Sequence, residues 1–262
     1  MKTSMTLVLG SYVAPMVVAS FLVFGAAASE TAGAQWVNIG SNSGLFAFDW
    51  ESANVCGLNL AGSPQSMRSG VLKLKARRKE ICAGAFVIVP ICLFSSVVPE
   101  SYDKRPSATT HSLLSFDGMP DKQSMAGSAE LLDRIWKKEF SIREYSDPMT
   151  KENRKSYSAN VAYMRGFIAW CKEEDLKPVF VLPPAAESLR RLFPDSFLQT
   201  YVYDFVRDVT KGTDVRFLDY WRDAEFLDVR LYATSLFLNK TGRRRFTARV
   251  IADFSKKDMA YK

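Results

Sequence analysis

A single histidine, His111, is present in 262 residues. Imidazole is the side chain whose ordinary titration lies nearest neutral pH. Any Ser–His dyad in this chain must therefore use a residue set in the polar stretch SATTHSLLSFD, where a lone histidine is more often a bystander. Cysteine is also scarce. Cys56, Cys82, Cys92 and Cys171 show no C-x-x-C spacing, which removes the usual cysteine metal site and leaves them as buried thiols. Export would permit a disulfide. Cys82 and Cys92, however, flank an apolar run that, when extended, holds their Cα atoms beyond the ~7 Å bridging limit. There is no internal repeat or low-complexity tract, and no zinc-finger, helix-turn-helix or RNA-binding signature, so no nucleic-acid partner is expected. Neither a metal nor a cofactor is expected.

What is present is ordinary for one α/β domain: 47% hydrophobic residues, enough for one sizeable core. Thirty-five Lys and Arg against 28 Asp and Glu leave a net +7. Basic residues cluster at Lys73, Lys75, Arg77, Arg78 and Lys79, and again at Arg243, Arg244 and Arg245. Such clusters are usually solvated helix faces; the functional alternative is attraction to an anionic glycan or lipid surface. Residues 6–28 carry no charge, follow Lys2 and end in Ala26, Ala27 and Ala28. The run is longer than the ~7–15 residues of a signal-peptide core and reads as a membrane anchor, with a cleaved, secreted form as the alternative. Either way the remainder is exported, facing the periplasm or cell exterior. The expected organisation is an anchor and linker over 1–35 and one domain over 36–262, interrupted by an irregular insertion at about 99–148.

Strands and helices alternate along that domain. WVNIG at 36–40, NVCGLNLA at 54–61, AFVIVPICLF at 85–94, KPVFVLPP at 177–184 and VRFLDY at 215–220 read as strands. Helices are expected within SNSGLFAF at 41–48, and over 67–80, 158–175 and 196–212, with a last one after a Thr241 cap. This pattern predicts a three-layer α/β/α fold with a central parallel sheet. Ligands then gather beyond the C-terminal ends of the strands, at the loops 40–44, 61–65, 94–96, 183–186 and 232–239.

Those loops carry a likeness. NIGSNSGLFAFD, GLNLAGSPQS, FVIVPICLFSS, KPVFVLPP, FLDYWRD and LYATSLFLNKTGRRRFT, in this order, resemble the blocks of SGNH/GDSL-type hydrolases. The likeness is greatest to exported members that work beside membrane-bound O-acyltransferases, such as alginate acetylation and teichoic acid D-alanylation proteins. It covers the chain after Gln35 except for about 99–148. It implies an SGNH/flavodoxin-like fold and, as partners, a membrane-bound O-acyltransferase or a polysaccharide synthesis or export complex.

The same resemblance implies that the catalytic residues are gone. The family uses a Ser after the first strand, an oxyanion hole of backbone N–H groups, and a late Asp-x-x-His. Here Asn42 stands at the nucleophile, Thr234 at the Asp and Phe237 at the His, while Leu238, Asn239 and Gly242 match. Ala61 replaces the second-block Gly and keeps its N–H, and the third-block Asn has no counterpart near 92–96. An amide is not an acyl-accepting alkoxide, a phenyl ring takes no proton, and a threonine holds no charge beside an imidazolium.

Three readings follow. In the first, the chain is a noncatalytic binding or accessory subunit in cell-surface O-acylation or export, with Asn42, Ala61, Gln65 and Asn239 lining a ligand cleft. The second is an active O-acetyltransferase or esterase with a relocated centre using Ser41 or Ser43 and His111, although both serines read more readily as helix caps. Asp219 and Asp223 offer carboxylates but read as a strand end and a helix cap. The third is a structural scaffold whose old cleft is filled, for instance by Phe237.

Overall fold

A computed structural model describes residues 33–104 and 120–258; the apolar segment at 6–28 and His111 lie outside them. Strands β1 (Ala34–Asn38), β2 (Gly57–Asn59), β3 (Ile81–Pro90), β4 (Lys177–Leu182) and β5 (Arg216–Asp219) form one parallel sheet in the order β2-β1-β3-β4-β5. This is the order of a flavodoxin-like doubly wound sheet, whose topological switch point lies between β1 and β3. The helices are α1 (Asn42–Leu45), α2 (Met67–Ala76), α3 (Lys122–Glu139), α4 (Lys151–Glu173), α5 (Glu187–Arg190), α6 (Asp195–Leu198), α7 (Asp204–Thr210) and α8 (Lys240–Asp258). A π turn, Gln199–Tyr203, joins α6 to α7. The fold is the three-layer α/β/α architecture that the alternation predicts.

The strand period of two sorts the core into two layers. Val87 and Val89 of β3 and Phe180 and Leu182 of β4 pack on the side of α2, α4, α6 and α7. Ile88, Val179, Val181 and Trp36 pack on the other side with Phe48, Trp50 and the α8 residues Phe246, Val250 and Phe254. Covering both faces explains why β3 and β4 are near-continuous apolar runs. Each such side chain stabilises the fold by about 1.5–3 kcal/mol.

Caps account for where the helices begin. Ser66 accepts from Ser69 N (3.1 Å), Asp121 from Ser124 N (2.7 Å) and Thr150 from Asn153 N (3.1 Å). The last two start α3 and α4 well upstream of the apolar periodicity, so the region at 99–148 contains an 18-residue helix. Thr241 does not cap α8 but lies inside it; Asn239 accepts from Gly242 N at 2.9 Å and takes that role. The domain begins at Gly33, so Ala34 and Gln35 are strand rather than linker. Among the described residues, no helix is long and apolar enough to cross a membrane.

The first basic cluster is a solvated face, as the usual reading expects: Lys73, Lys75, Arg77 and Lys79 are exposed and only Arg78 is half-buried, and several of these side chains also make local contacts. Lys73 donates to Gln65 Oε1, Lys75 lies 4.9 Å over the Trp170 ring, and Arg77 pairs with Glu80. Arg78 reaches Glu174 Oε2 at 2.9 Å and the Glu174 carbonyl at 2.7 Å, and Arg165 reaches the Asp208 carbonyl at 2.8 Å. These carbonyls end α4 and α7, where the helix dipole favours cations. None of the four cysteines forms a disulfide. The expected burial holds for Cys171 alone, whose thiol burial pushes up to about 12, while Cys56 is exposed.

Gly70 shows how tightly α2 sits on the chain leaving β1: a Cβ there would lie 2.2 Å from the Ile39 carbonyl oxygen. Gly70→Ala is expected to lower stability by about 1–3 kcal/mol, read as a lower denaturation midpoint at unchanged slope.

Candidate functional site

The switch point is built on two buried side-chain amides. Asn38 ends β1 fully buried; its Nδ2 donates to the Gly44 carbonyl (2.8 Å) and Asn59 Oδ1 (3.0 Å), and its Oδ1 accepts from Gly40 N (3.1 Å). Gln65, equally buried, donates from Nε2 to the carbonyls of Ile39 (3.0 Å), Gly40 (2.9 Å) and Leu60 (3.1 Å). An NH2 group has two hydrogens for these three acceptors, so at least one is shared. Its Oε1 accepts from the Lys73 ammonium. The loops after β1 and β2 are thereby bound to each other and to α2.

Between these loops and the chain leaving β3 lies a pocket of about 60 Å³, against roughly 300–1,000 Å³ for ordinary ligand sites. Ser41, Asn42, Ser43, Gln65, Cys92 and Ser95 supply much of its polar wall, and Trp136 and Phe140, at the end of α3 and just beyond it, close it with Phe94. The Phe94 and Phe140 rings stack at 4.4 Å and 5°. Ser95 Oγ accepts from Cys92 N (2.9 Å) and donates to Cys92 Sγ (3.1 Å). Among the described residues the lining includes no His, Asp, Glu, Lys or Arg. Asn42 Oδ1 and Ser43 Oγ are buried with no hydrogen-bond partner among the described residues.

The structure thus brings Ser41, Asn42, Ser43 and Gln65 together but not the other expected residues. Ser41 occupies the N-cap position of α1 without a side-chain cap bond, and its hydroxyl is among the groups lining the pocket, so the capping expected of it is not found. The Ala61 N–H survives but donates to Asn59 Oδ1 at 3.1 Å, so it does not serve as an open oxyanion donor. Asn239 is buried, capping α8 through Oδ1 and donating from Nδ2 to the Arg230 carbonyl at 2.7 Å. Thr234 Oγ1 accepts from Leu236 N (3.3 Å) and Phe237 N (3.1 Å), a local turn. Phe237 packs its ring 4.5 Å from that of Phe46, and it is Leu236, not Phe237, that lines the pocket. Asp219 accepts from Trp221 N (2.8 Å) and Tyr203 OH (2.9 Å), while Asp223 caps a short turn at Glu225 N (2.9 Å) and pairs with Arg249 at 3.1 Å.

The loop at 94–96 does reach the pocket, through Phe94 and Ser95, whereas sequence reasoning missed Asn38, Trp136 and Phe140. Asn38 had one signal, a polar amide inside an apolar strand. The aromatic closure had none, because it joins residues far apart in the chain. Among the described residues no three His, Cys, Asp or Glu side chains converge to hold a metal. No protein-family model matches the chain, and no curated protein matches it at a significant level.

Gln65→Leu leaves the buried Ile39 and Leu60 carbonyls without their donor, while Gly40 keeps the Gly62 amide at 3.3 Å, and is expected to cost about 1–3 kcal/mol. Asn42→Ala removes an oxygen that has no partner and is expected to leave stability unchanged or raise it. Chemical denaturation of the two variants side by side checks both.

Proposed function

We propose that this chain is a noncatalytic, exported SGNH-like protein that serves as an accessory or scaffold subunit in cell-surface polysaccharide modification by O-acylation, or in export. The observation that carries this reading is the wall of the switch-point pocket: the Ser41 and Ser43 hydroxyls have no acid or base beside them among the described residues, and the one carboxylate near the wall, Asp103, is taken up at 2.6 Å by the hydroxyl and amide of Ser66, the N-cap of α2. A serine nucleophile needs a neighbouring base to lose its proton, and an oxyanion needs preorganised donors that are not already bonded. The pocket volume supports closure over ligand binding in the old cleft, and the packing of Phe140 on Phe94 supports closure by the 99–148 region. Its partners in this reading, a membrane-bound O-acyltransferase or a polysaccharide complex, meet its outer surface.

The test is acetyl-ester turnover by the full chain in detergent micelles, beside Ser41→Ala, Ser43→Ala and His111→Ala. The expected rate is that of buffer for all four proteins. Turnover by the wild-type chain that any one variant abolishes overturns the reading in favour of a relocated Ser–His centre.

A further inference from the structure

The end of the sheet opposite the switch point carries an open groove of about 1260 Å³. Its rim is formed by the first residues of β4 and β5, the last turns of α4 and the loop that follows α7. The floor is apolar: Ile168, Leu176 and Val209 are buried beneath it, and the Phe86 and Phe254 rings, 4.7 Å apart, close one end. The groove is larger than the roughly 300–1,000 Å³ of small-molecule sites, which suits an extended surface better than one compact ligand.

Cations surround this floor. Arg165, Lys172, Lys177, Lys211 and Arg216 line the groove, against the carboxylates of Asp175 and Asp214 alone. The arginines are occupied: Arg165 holds the Asp208 carbonyl at 2.8 Å, and Arg216 holds the Asp253 carbonyl at 3.1 Å while lying 4.4 Å over the Phe254 ring. The three lysines are exposed and make no hydrogen bond or ion pair among the described residues, although Lys177 lies 5.3 Å over the Phe86 ring. Of the other carboxylates at this end, Glu80 and Glu174 pair with Arg77 and Arg78, and Glu173 is not part of the lining. A cation near a helix C-terminus is favoured in any fold, which accounts for Lys172 and Lys211 singly. It accounts neither for Lys177, at the start of a strand, nor for the three meeting around one apolar groove.

We propose that this face docks on a bilayer surface bearing anionic headgroups, with the lysines among the headgroup phosphates and the apolar floor over the lipid glycerol region. Exposed, unbraced ammonium groups suit a fluid layer of charge, whereas a single bound anion calls for fixed, buried donors. Chain length favours the same occupant. Parallel strands all start at one end, so β1 begins where the groove lies, and the uncharged run read as a membrane anchor stops five residues before Gly33. Five extended residues cover at most about 18 Å. The proposal names the surface that the accessory subunit described above turns to the membrane, and it rests on that reading only for the anchor. Its failure leaves the question of serine chemistry untouched.

The experiment is amine acetylation of the full chain in lipid nanodiscs, with the rate at each lysine read by peptide mass spectrometry. Discs of phosphatidylcholine are compared with discs containing about one-third phosphatidylglycerol, and with phosphatidylcholine discs in saturating inorganic phosphate. Helix α4 supplies the internal control: Lys151 is its first residue and Lys172 lies in its last turn, about 32 Å along the axis, far beyond the ~8 Å reach of a screened surface charge. Lys172, Lys177 and Lys211 are expected to react at least about threefold more slowly in the anionic discs, with Lys151 and Lys155 unchanged. In Lys172→Glu/Lys211→Glu, which alters two exposed side chains without partners, Lys177 is expected to lose that protection. Equal rates in the two kinds of disc, equal protection of Lys151, protection by inorganic phosphate alone, protection that survives in the double variant, or failure of the chain to enter discs overturns the proposal.

Discussion

The buried amide of Gln65 holds the C-terminal edge of the sheet together. Three buried backbone carbonyls, from Ile39, Gly40 and Leu60, point at one NH2 group. With Asn38 bridging Gly40, Gly44 and Asn59, the loops that in a doubly wound fold are free to vary become one cross-braced unit. A buried polar network of this kind is stabilising only when every member is satisfied. The constraint therefore extends to Lys73 on α2 and to Gly70, whose missing side chain lets α2 approach Ile39.

Closure of the switch-point pocket follows from that bracing. The loops cannot open to admit a ligand without breaking buried hydrogen bonds, and the space left over is filled from above by the aromatic cluster around Phe94, where Phe140, Trp136, Tyr145 and Phe193 meet. Phe237 packs on Phe46 at 4.5 Å, outside the pocket lining. Asn59 extends the bracing to the edge strand, its Oδ1 accepting from Asn38 Nδ2 and the Ala61 amide.

The parts of the fold that were legible are those where local pattern and tertiary packing agree. β3 and β4 are apolar along their length because both faces are covered, and that run of residues says so directly. Element starts were harder to place. Thr150 and Asp121 cap their helices ahead of any apolar residue, so periodicity alone begins α4 and α3 too late. Asn239 was legible as a notable residue but not as a cap, because polar side chains at a helix start look alike until their hydrogen bonds are known. The candidate site was legible at Ser41, Asn42, Ser43 and Gln65 and at the 94–96 loop, the residues that local chain order places after β1, β2 and β3. Residue 237 failed because two adjacent side chains, Leu236 and Phe237, point to different neighbours, and spacing does not decide which one faces the pocket.

The central claim is that Ser41 and Ser43 at the switch point are hydroxyls without a base. Labelling the full chain with a fluorophosphonate, followed by peptide mass spectrometry, tests it at the atoms concerned, because such a probe reacts with activated serine and not with an ordinary hydroxyl. The account predicts that Ser41 and Ser43 remain unmodified under conditions that label a control serine hydrolase to completion. A stoichiometric adduct on either serine, lost in His111→Ala, would contradict it.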